Sequence, residues 1–453
     1  MKLNLPYVLG IIMLLMTLLS CNKLIEVPES KSQVESSAVF TDSTLATSAL
    51  LGAYYTLSNN VVSFKYISLY ADEYAQTTGD QTLDEFSRSQ VLPENYLNQS
   101  LWTGLYSTIY QANAVIEGVD KSLLSPGLKV QLQAESRFLR AFSYFYLLNL
   151  YDHIPMILST NVDQNRSAKQ TDGQTIYKQI TEDLTLAKSL LKSSYSGSGK
   201  VRANRYAASA LLARVYLYQK NWKAAEQEAA EILSSGQYSP LPSPSETFYA
   251  GNNEAILQWW NQTGFIPDAS SLIPSAGTAI PSYVLLDDLY QSFTIDDNRK
   301  TAWIASNTIG SGAAAIKYPY NAKYKNRTVG AGRPEYSMVL RAAEQYLIRA
   351  EALARQGKIK DAIFYLNLVR SRANLGPIDE NSDSELVLAA INMERRLELF
   401  GEYGHRFLDL KRQNQLDLVL GTLKDGWKST ARALPIPKTE ITYNPNLIQN
   451  EGY

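Results

Sequence analysis

Ala213-Arg214-Val215-Tyr216-Leu217-Tyr218-Gln219-Lys220-Asn221-Trp222-Lys223-Ala224-Ala225 carries the pattern of a helical hairpin. Ala213, Tyr216, Lys220, Trp222 and Ala225 fall at the offsets of two helices folded back on each other across a short turn. Small residues at such offsets let the helices approach, and the large ones fill the gap between them. The same offsets recur at Ala350, Leu353, Gly357, Ile359 and Ala362, with Gly357 at the turn. Positions 213 and 350 are offset by 137, so the two hairpins do not follow each other as a tandem array.

Working outward, helical periodicity extends over residues 206–233 and is present upstream at 130–151 and 175–191. A helix over 96–119 carries Leu101, Leu105, Ile109, Ala112 and Ile116 on one face. Another begins near Ser43, with Leu45, Ala49, Leu50 and Ala53 at three-and-four spacing and Thr41, Asp42 and Ser43 as candidate caps. The hairpin offsets are those of tetratricopeptide repeats, so the chain reads as mainly α, built on dispersed hairpins of that type. Two stretches break the pattern. Residues 66–93 are poorly periodic and read mostly as loop. Residues 238–334 are rich in Pro, Gly, Ser and Asn, with one clear strand candidate at 255–260 between Asn252-Asn253 and Asn261. Long irregular stretches inside a helical scaffold usually carry function, which makes these two the expected binding surface.

Composition removes several function classes. The 453 residues hold 43 Lys plus Arg against 44 Asp plus Glu, a net charge of −1, which argues against a dedicated nucleic-acid binder. With 45% hydrophobic and 19% charged residues, the chain is globular rather than disordered. There are only two His and one Cys. A zinc site usually needs several such ligands, so no metal and no cofactor are expected. His405 sits in a structural-looking segment, and His153 follows Tyr151-Asp152 at a helix end, where a capping role fits better than a catalytic triad. No G-x-S-x-G elbow, P-loop or dinucleotide fingerprint occurs. Binding without turnover is the expectation, although 44 acids leave a carboxylate pair for glycoside hydrolysis open.

Residues 1–20 read as a secretory signal: Lys2 is the positive start, 7–19 is an apolar run too short to span a bilayer, and small Ser20 precedes Cys21. Leu18-Leu19-Ser20-Cys21 resembles a bacterial lipobox, which implies an acylated Cys21 and a lipid-anchored protein. Residues 21–37 then form the lipidated N-terminus and tether. No later run of 18 apolar residues occurs, so no transmembrane helix is expected.

The segment 384–453 closes the argument. A helix over 384–400 carries the apolar stripe Leu386, Ala390, Met393, Leu397 and Phe400. It continues as Glu394-Arg395-Arg396-Leu397-Glu398-Leu399-Phe400-Gly401-Glu402-Tyr403-Gly404-His405-Arg406-Phe407-Leu408-Asp409-Leu410-Lys411-Arg412. This run, with Leu434-Pro435-Ile436-Pro437-Lys438-Thr439-Glu440-Ile441 and the terminal residues 444–453, closely resembles the signature of the SusD/RagB family of outer-membrane lipoproteins. Tyr106, Ile109 and Asn113 fit that family's early helix, and the lipobox fits its anchor. The resemblance implies one SusD-like domain over 38–453, with loop insertions at about 66–93 and 238–334. It also implies a non-catalytic, surface-facing outer-membrane lipoprotein that captures a glycan and delivers it to a TonB-dependent, SusC-like transporter. A tetratricopeptide-type envelope scaffold holding a peptide on its helical face is the alternative.

Within the signature, Arg395, Arg396, Glu398, Glu402, His405, Arg406 and Asp409 alternate in sign, as expected of charge pairs that lock a helix–turn–helix to the body. For the glycan, aromatic rings flanked by amides and Arg suit sugar faces and hydroxyls. These are Tyr74, Arg88, Asn95 and Tyr96 in the first stretch, and Trp259, Trp260, Asn261, Tyr283 and Trp303 in the second. In a strand over 255–260, Trp259 and Trp260 point to opposite sides, so one of them is core and Trp260 is the candidate contact. The Tyr excess, 30 against 12 Phe, divides between hairpin packing and this surface.

Overall fold

The computed structural model describes residues 36–61 and 64–453. Cys21 and the leader lie outside the described residues. The protein is mainly helical. We label its principal helices α1 (Ser43–Val61), α2 (Phe64–Tyr70), α3 (Gln81–Ser87), α4 (Tyr96–Asp120), α5 (Pro126–Tyr151), α6 (Gly173–Leu190), α7 (Arg205–Tyr218) and α8 (Trp222–Ser234). After a long insertion come α9 (Ala342–Arg355), α10 (Ile359–Arg372), α11 (Ser384–Leu399) and α12 (His405–Arg412). Asp42 caps α1, its carboxylate accepting from the N–H groups of Thr44 (2.8 Å) and Leu45 (2.9 Å). Asn95 caps α4, and Asp172, Asn204 and Asn221 cap α6, α7 and α8.

The helices stack in one sequence: α1 on α4, α4 on α5, α5 on α6, α6 on α7, α7 on α8, α8 on α9 and α9 on α10. The two hairpins offset by 137 residues are thus neighbours in space, because α8 packs directly on α9. The insertion leaves and returns side by side. Its strands β2 (Ala255–Trp259) and β6 (Ser337–Arg341) pair antiparallel at its base. Four further strands bear on the site, β1 (Tyr74–Gln76), β3 (Tyr283–Leu285), β4 (Ile304–Ile309) and β5 (Ile316–Asn321), and a two-residue pair, Ile154–Pro155 with Gln170–Thr171, lies between α5 and α6. β1 pairs with β3, and β4 with β5, both antiparallel.

Two sequence expectations are corrected here. Residues 66–93 are not mostly loop: they contain most of α2, then β1 and α3, and β1 joins them to the insertion. Short elements of three to seven residues fall below the window in which periodicity is legible. The insertion likewise holds short helices, among them Pro267–Leu272 and Asn298–Trp303. The stripe expected on α11 holds only at its C-terminal end, where Leu397 and Phe400 are buried. Leu386 and Met393 are exposed, while Val387, Ile391, Glu394 and Glu398 face inward. The lower half of that helix packs against cations, so its buried period is a charged one.

That packing is extensive. Arg341 reaches Glu254 (2.8 Å), Glu402 (2.8 Å) and Glu398, while Arg299 reaches Asp297 (2.9 Å), Glu394 (2.7 Å) and Glu398 (2.9 Å). Arg395 bonds Asp409 at 2.8 Å, and Asp72 receives both Arg396 (2.9 Å) and Arg406 (2.7 Å). Almost all these side chains are buried, and they bond from α11, α12 and the intervening turn to Asp72 just after α2, to Arg341 on β6 with Glu254 just before β2, and to Arg299 on the short helix Asn298–Trp303. The charge alternation read in the signature is structural, as expected. The last residues are sewn to α4 and α5. Asn98 donates to the Pro435 carbonyl (2.8 Å), and Asn450 to those of Tyr151 and Leu434 (both 2.8 Å).

Candidate functional site

Two consecutive pairs of aromatic residues build the most open aromatic face. On α1, Ala46, Leu50, Ala53, Tyr54 and Leu57 are buried, which turns the next residue, Tyr55, outward at 66% exposure. On β2, Trp259 points into the core and Trp260, just past the strand end, is 54% exposed. The inward members touch: the rings of Tyr54 and Trp259 meet edge-on with centroids 5.8 Å apart. Tyr54 is fixed further by donating to Glu135 (2.8 Å) and accepting the Ala203 N–H (2.9 Å). Tyr55 and Trp260, the outward neighbours of these two rings, both line one cleft of about 220 Å³.

The rest of the cleft is amide-rich. Asn59, Asn261, Gln262 and Thr263 line it, with Asp268 and Ser337 deeper. The Asn261 side chain accepts the Thr263 N–H (2.8 Å), and Gly264 closes the turn at a left-handed φ of 68°. Asp268 links the cleft to a second ring group. Its carboxylate accepts from Lys65 (2.8 Å), whose ammonium lies 5.3 Å from the Tyr66 ring and 5.9 Å from that of Tyr283. Burial, then Asp268 and Tyr96, push the Tyr66 hydroxyl up to about 12, so it remains a neutral donor at physiological pH. Tyr96, at the first turn of α4, is exposed and close enough to affect Tyr66 and Tyr283 electrostatically.

The residues singled out from sequence therefore separate. Trp260 and Asn261 line the cleft, with Tyr96 exposed nearby; Tyr283 is buried, with the Lys65 ammonium 5.9 Å from its ring, and burial removes it from the open face. Tyr74 is core, its hydroxyl accepting from Asn321 (2.6 Å) beneath Gly401. Trp303 is core as well: its indole N–H donates to the Pro244 carbonyl (2.7 Å), and the Lys323 ammonium sits 4.6 Å from its ring centroid. Asn95 is spent on capping α4 and on Glu85 (2.7 Å). Arg88 is exposed but belongs to another cleft, beside Gln90, Leu92 and Tyr453. Burial removes Tyr74, Trp303 and Asn95 from any surface site, because a ring or amide in a strand or at a cap reads the same in sequence whichever way it faces.

Tyr55, Asn59, Lys65 and Tyr66 were missed. For Tyr55 a signal existed, since the buried spacing of α1 includes Tyr54 and leaves its neighbour off the stripe. His405 is buried, and burial together with Arg214 and Arg395 holds it well below its ordinary range, hence neutral. His153 is exposed one residue beyond the Asp152 cap of α5, on a cleft with Asp417, Arg432 and Glu451. Among the described residues no three His, Cys, Asp or Glu converge as ion ligands, and no helix is long and apolar enough to cross a membrane.

Comparison with known proteins follows from this geometry. Residues 24–217 match a family model described as starch-binding and associating with the outer membrane, and residues 295–453 match the SusD family model. SusD-like protein P25 of Formosa agariphila is 25% identical, over 98% of this chain and 98% of its own. A SusD-like protein of Bacteroides ovatus is also 25% identical, over 67% of this chain and 63% of its own. Among solved structures, a laminarin-binding SusD-like protein is 26% identical, with a TM-score of 0.76 over 90% of this chain and 99% of that one. Surface glycan-binding protein A from Bacteroides thetaiotaomicron shares the fold, with a TM-score of 0.77 at 21% identity over 91% of this chain and 100% of that one.

Proposed function

The chain belongs to the SusD/RagB family of glycan-binding proteins, and from that premise we propose that it captures an oligo- or polysaccharide on the Tyr55–Trp260 face without cleaving it. In this reading it is anchored in the outer membrane through Cys21, faces the exterior, and passes its ligand to a TonB-dependent, SusC-like transporter. The observation that carries the binding step is the pair of outward rings over an amide-lined cleft. Flat rings stack on sugar faces, and Asn59, Asn261 and Gln262 reach hydroxyls. Weak capture suits delivery. A millimolar site holds only about 4 kcal/mol, and tethering beside a transporter raises the effective concentration.

A glycan array probed with the whole chain tests this reading, with a laminarin-type glucan as the first soluble ligand because a similar protein binds it. Retention of at least one glycan class is expected, with no shortening of the ligand on incubation. Retention of none, or cleavage, refutes it. The same array carries a peptide pool, since a scaffold protein using its helical face would retain peptides instead. Membrane fractionation of Cys21→Ala, expected to release the protein, tests the anchor. Co-purification with a large β-barrel tests the partner.

A further inference from the structure

The two hairpin turns share one hydrogen-bonding pattern but carry different residues at the left-handed position. At the first, the Lys220 N–H donates to Leu217 (3.1 Å) and that of Asn221 to Tyr216 (2.9 Å). At the second, Gly357 donates to Ala354 (3.0 Å) and Lys358 to Leu353 (3.0 Å). Both turn residues are left-handed, with φ of 58° at Lys220 and 77° at Gly357. A Cβ at 357 would meet nothing within 4 Å, so glycine stands there for its dihedral freedom alone. Lysine at 220 keeps the dihedral and forgoes that freedom, which an L side chain does only at a cost. Backbone strain of this kind is a pointer to function.

The side chain held at this cost lines a cavity of about 460 Å³ between the first hairpin, α9 and the α11–α12 region. This is a volume suited to small ligands. Three further cations line it. Arg412 is committed to Glu351 (2.6 and 2.7 Å) and Arg406 to Asp72 (2.7 Å). Lys220 and Arg355 have no ion-pair partner among the described residues; Arg355 lies only over the ring of Trp222, 5.7 Å away. Glu351, the cavity's one carboxylate, is bound bidentately by Arg412, so the cavity is net positive. Asn392 and Gln413, bonded to each other at 2.8 Å, supply amides at its wall.

We infer that this cavity is a second saccharide site, specific for an anionic sugar unit. Lys220 and Arg355 meet its carboxylate or sulfate, Trp222 borders its ring, and Asn392 and Gln413 meet its hydroxyls. Two free cations beside committed ones select charge, while the indole and the amides select a hydroxylated ring. The class of ligand rests on the glycan reading above; the charge preference rests on the cavity alone.

Calorimetric titration of the whole chain with digalacturonate, galactose 6-sulfate and neutral galactobiose tests it. One or both acidic ligands are expected to bind at least about tenfold tighter than galactobiose, and to weaken as salt is raised. Which of them binds identifies the anion as carboxylate or sulfate. Lys220→Gly and Arg355→Gln are each expected to weaken the acidic ligand about tenfold or more. Lys220→Gly should not lower the melting temperature, because it restores the residue used in the second turn; this separates lost binding from lost fold. Its retention of neutral glycan, measured in parallel, reports on the Tyr55–Trp260 face independently. Equal affinity for galactobiose, no acidic sugar bound at about 10 mM, variants that bind as the parent does, or binding of an oligoglutamate peptide in place of sugars would overturn the inference.

Discussion

The charged segment Glu394–Arg412 and the face around Tyr55 and Trp260 put polar chemistry to opposite uses. In the first, carboxylates and guanidinium groups from α11, α12, β6 and the segments beside α2 and β2 are buried and bonded chiefly to one another. In the second, rings and amides are left open, and their partners in the core, Tyr54 and Trp259, do the holding. The segment most recognisable in the sequence is therefore the structural one. A buried ion network constrains every member, whereas a binding face needs only that a ring be present and turned outward.

The largest effect should come from breaking the network at its centre. Burial pushes the Glu398 carboxyl up, but Arg372, Arg341 and Arg299 overcome this and hold it well below the ordinary carboxylate range. Glu398→Ala leaves those guanidinium groups buried without their common partner, a loss of about 3–5 kcal/mol, to be measured by urea unfolding. The sign for pH follows from the lowered value: this stabilisation is present above the ordinary carboxylate range and is lost as pH falls through the folded-state value. The stability difference between parent and Glu398→Ala should thus be full at neutral pH and shrink in acid below the ordinary carboxylate range, while Asp72 and Asp409, held low in the same way, leave the variant an acid dependence of its own.

Next in size is a carboxylate beside the network that no guanidinium bonds. Glu73 is buried, and burial lifts it from its ordinary 4.5 to about 7, although it accepts the Gly401 N–H (3.2 Å). A raised value means its contribution is full below pH about 4.5 and lost as pH rises through about 7. Glu73→Gln, which keeps the acceptor, should therefore stabilise the protein by up to about 3 kcal/mol at pH 8 and by nothing at pH 4. Equal effects at both values would place Glu73 inside the ion network and blur the contrast.

The same contrast governs what could be read from the chain. The mainly helical scaffold and the two hairpins stand on local rules, and the spacing of small and large residues carried them; the cap at Asp42 was legible as well, whereas Asn95, expected to touch ligand, caps α4. The charge alternation in Glu394–Asp409 was legible as structural. The direction of each aromatic was not. Trp260 turns outward because it lies just past the end of β2, all five of whose residues are buried, while Tyr74 and Trp303 were turned inward by tertiary partners, Asn321 and Lys323, that lie far along the chain. Tyr55 escaped notice because it sits on a helix assigned to the scaffold. The pairing of β1 with β3, which fixes Tyr283 beside Lys65, is non-local and left no local mark.

On the open face, the expected effect is on binding alone. Trp260→Ala removes a half-exposed ring that contributes no core packing, so retention of the bound glycan should fall about tenfold, roughly 1–2 kcal/mol, with the melting temperature unchanged. Affinity electrophoresis in the retained glycan, beside a thermal melt, reads both quantities. A lowered melting temperature would mean that the face is also structural.

The smallest effect separates the face from its surroundings. Arg88, an aromatic-flanking cation expected from sequence to touch ligand, caps α3 and pairs with Asp84 at 2.8 Å with 65% of its side chain exposed. Exposed pairs four residues apart contribute about 0.3–0.5 kcal/mol, and salt screens them. Its cleft, with Gln90, Leu92 and Tyr453, does not include Tyr55 or Trp260. Arg88→Ala should therefore leave glycan retention unchanged and shift the melting temperature by no more than about 1 °C. Should retention fall instead, the binding face runs past Tyr96 and over α3 to the C-terminal tail. The line between the riveted segment and the open face would then cross the last residues of the chain, since Tyr453 borders that cleft while donating to the Ala433 carbonyl (2.9 Å).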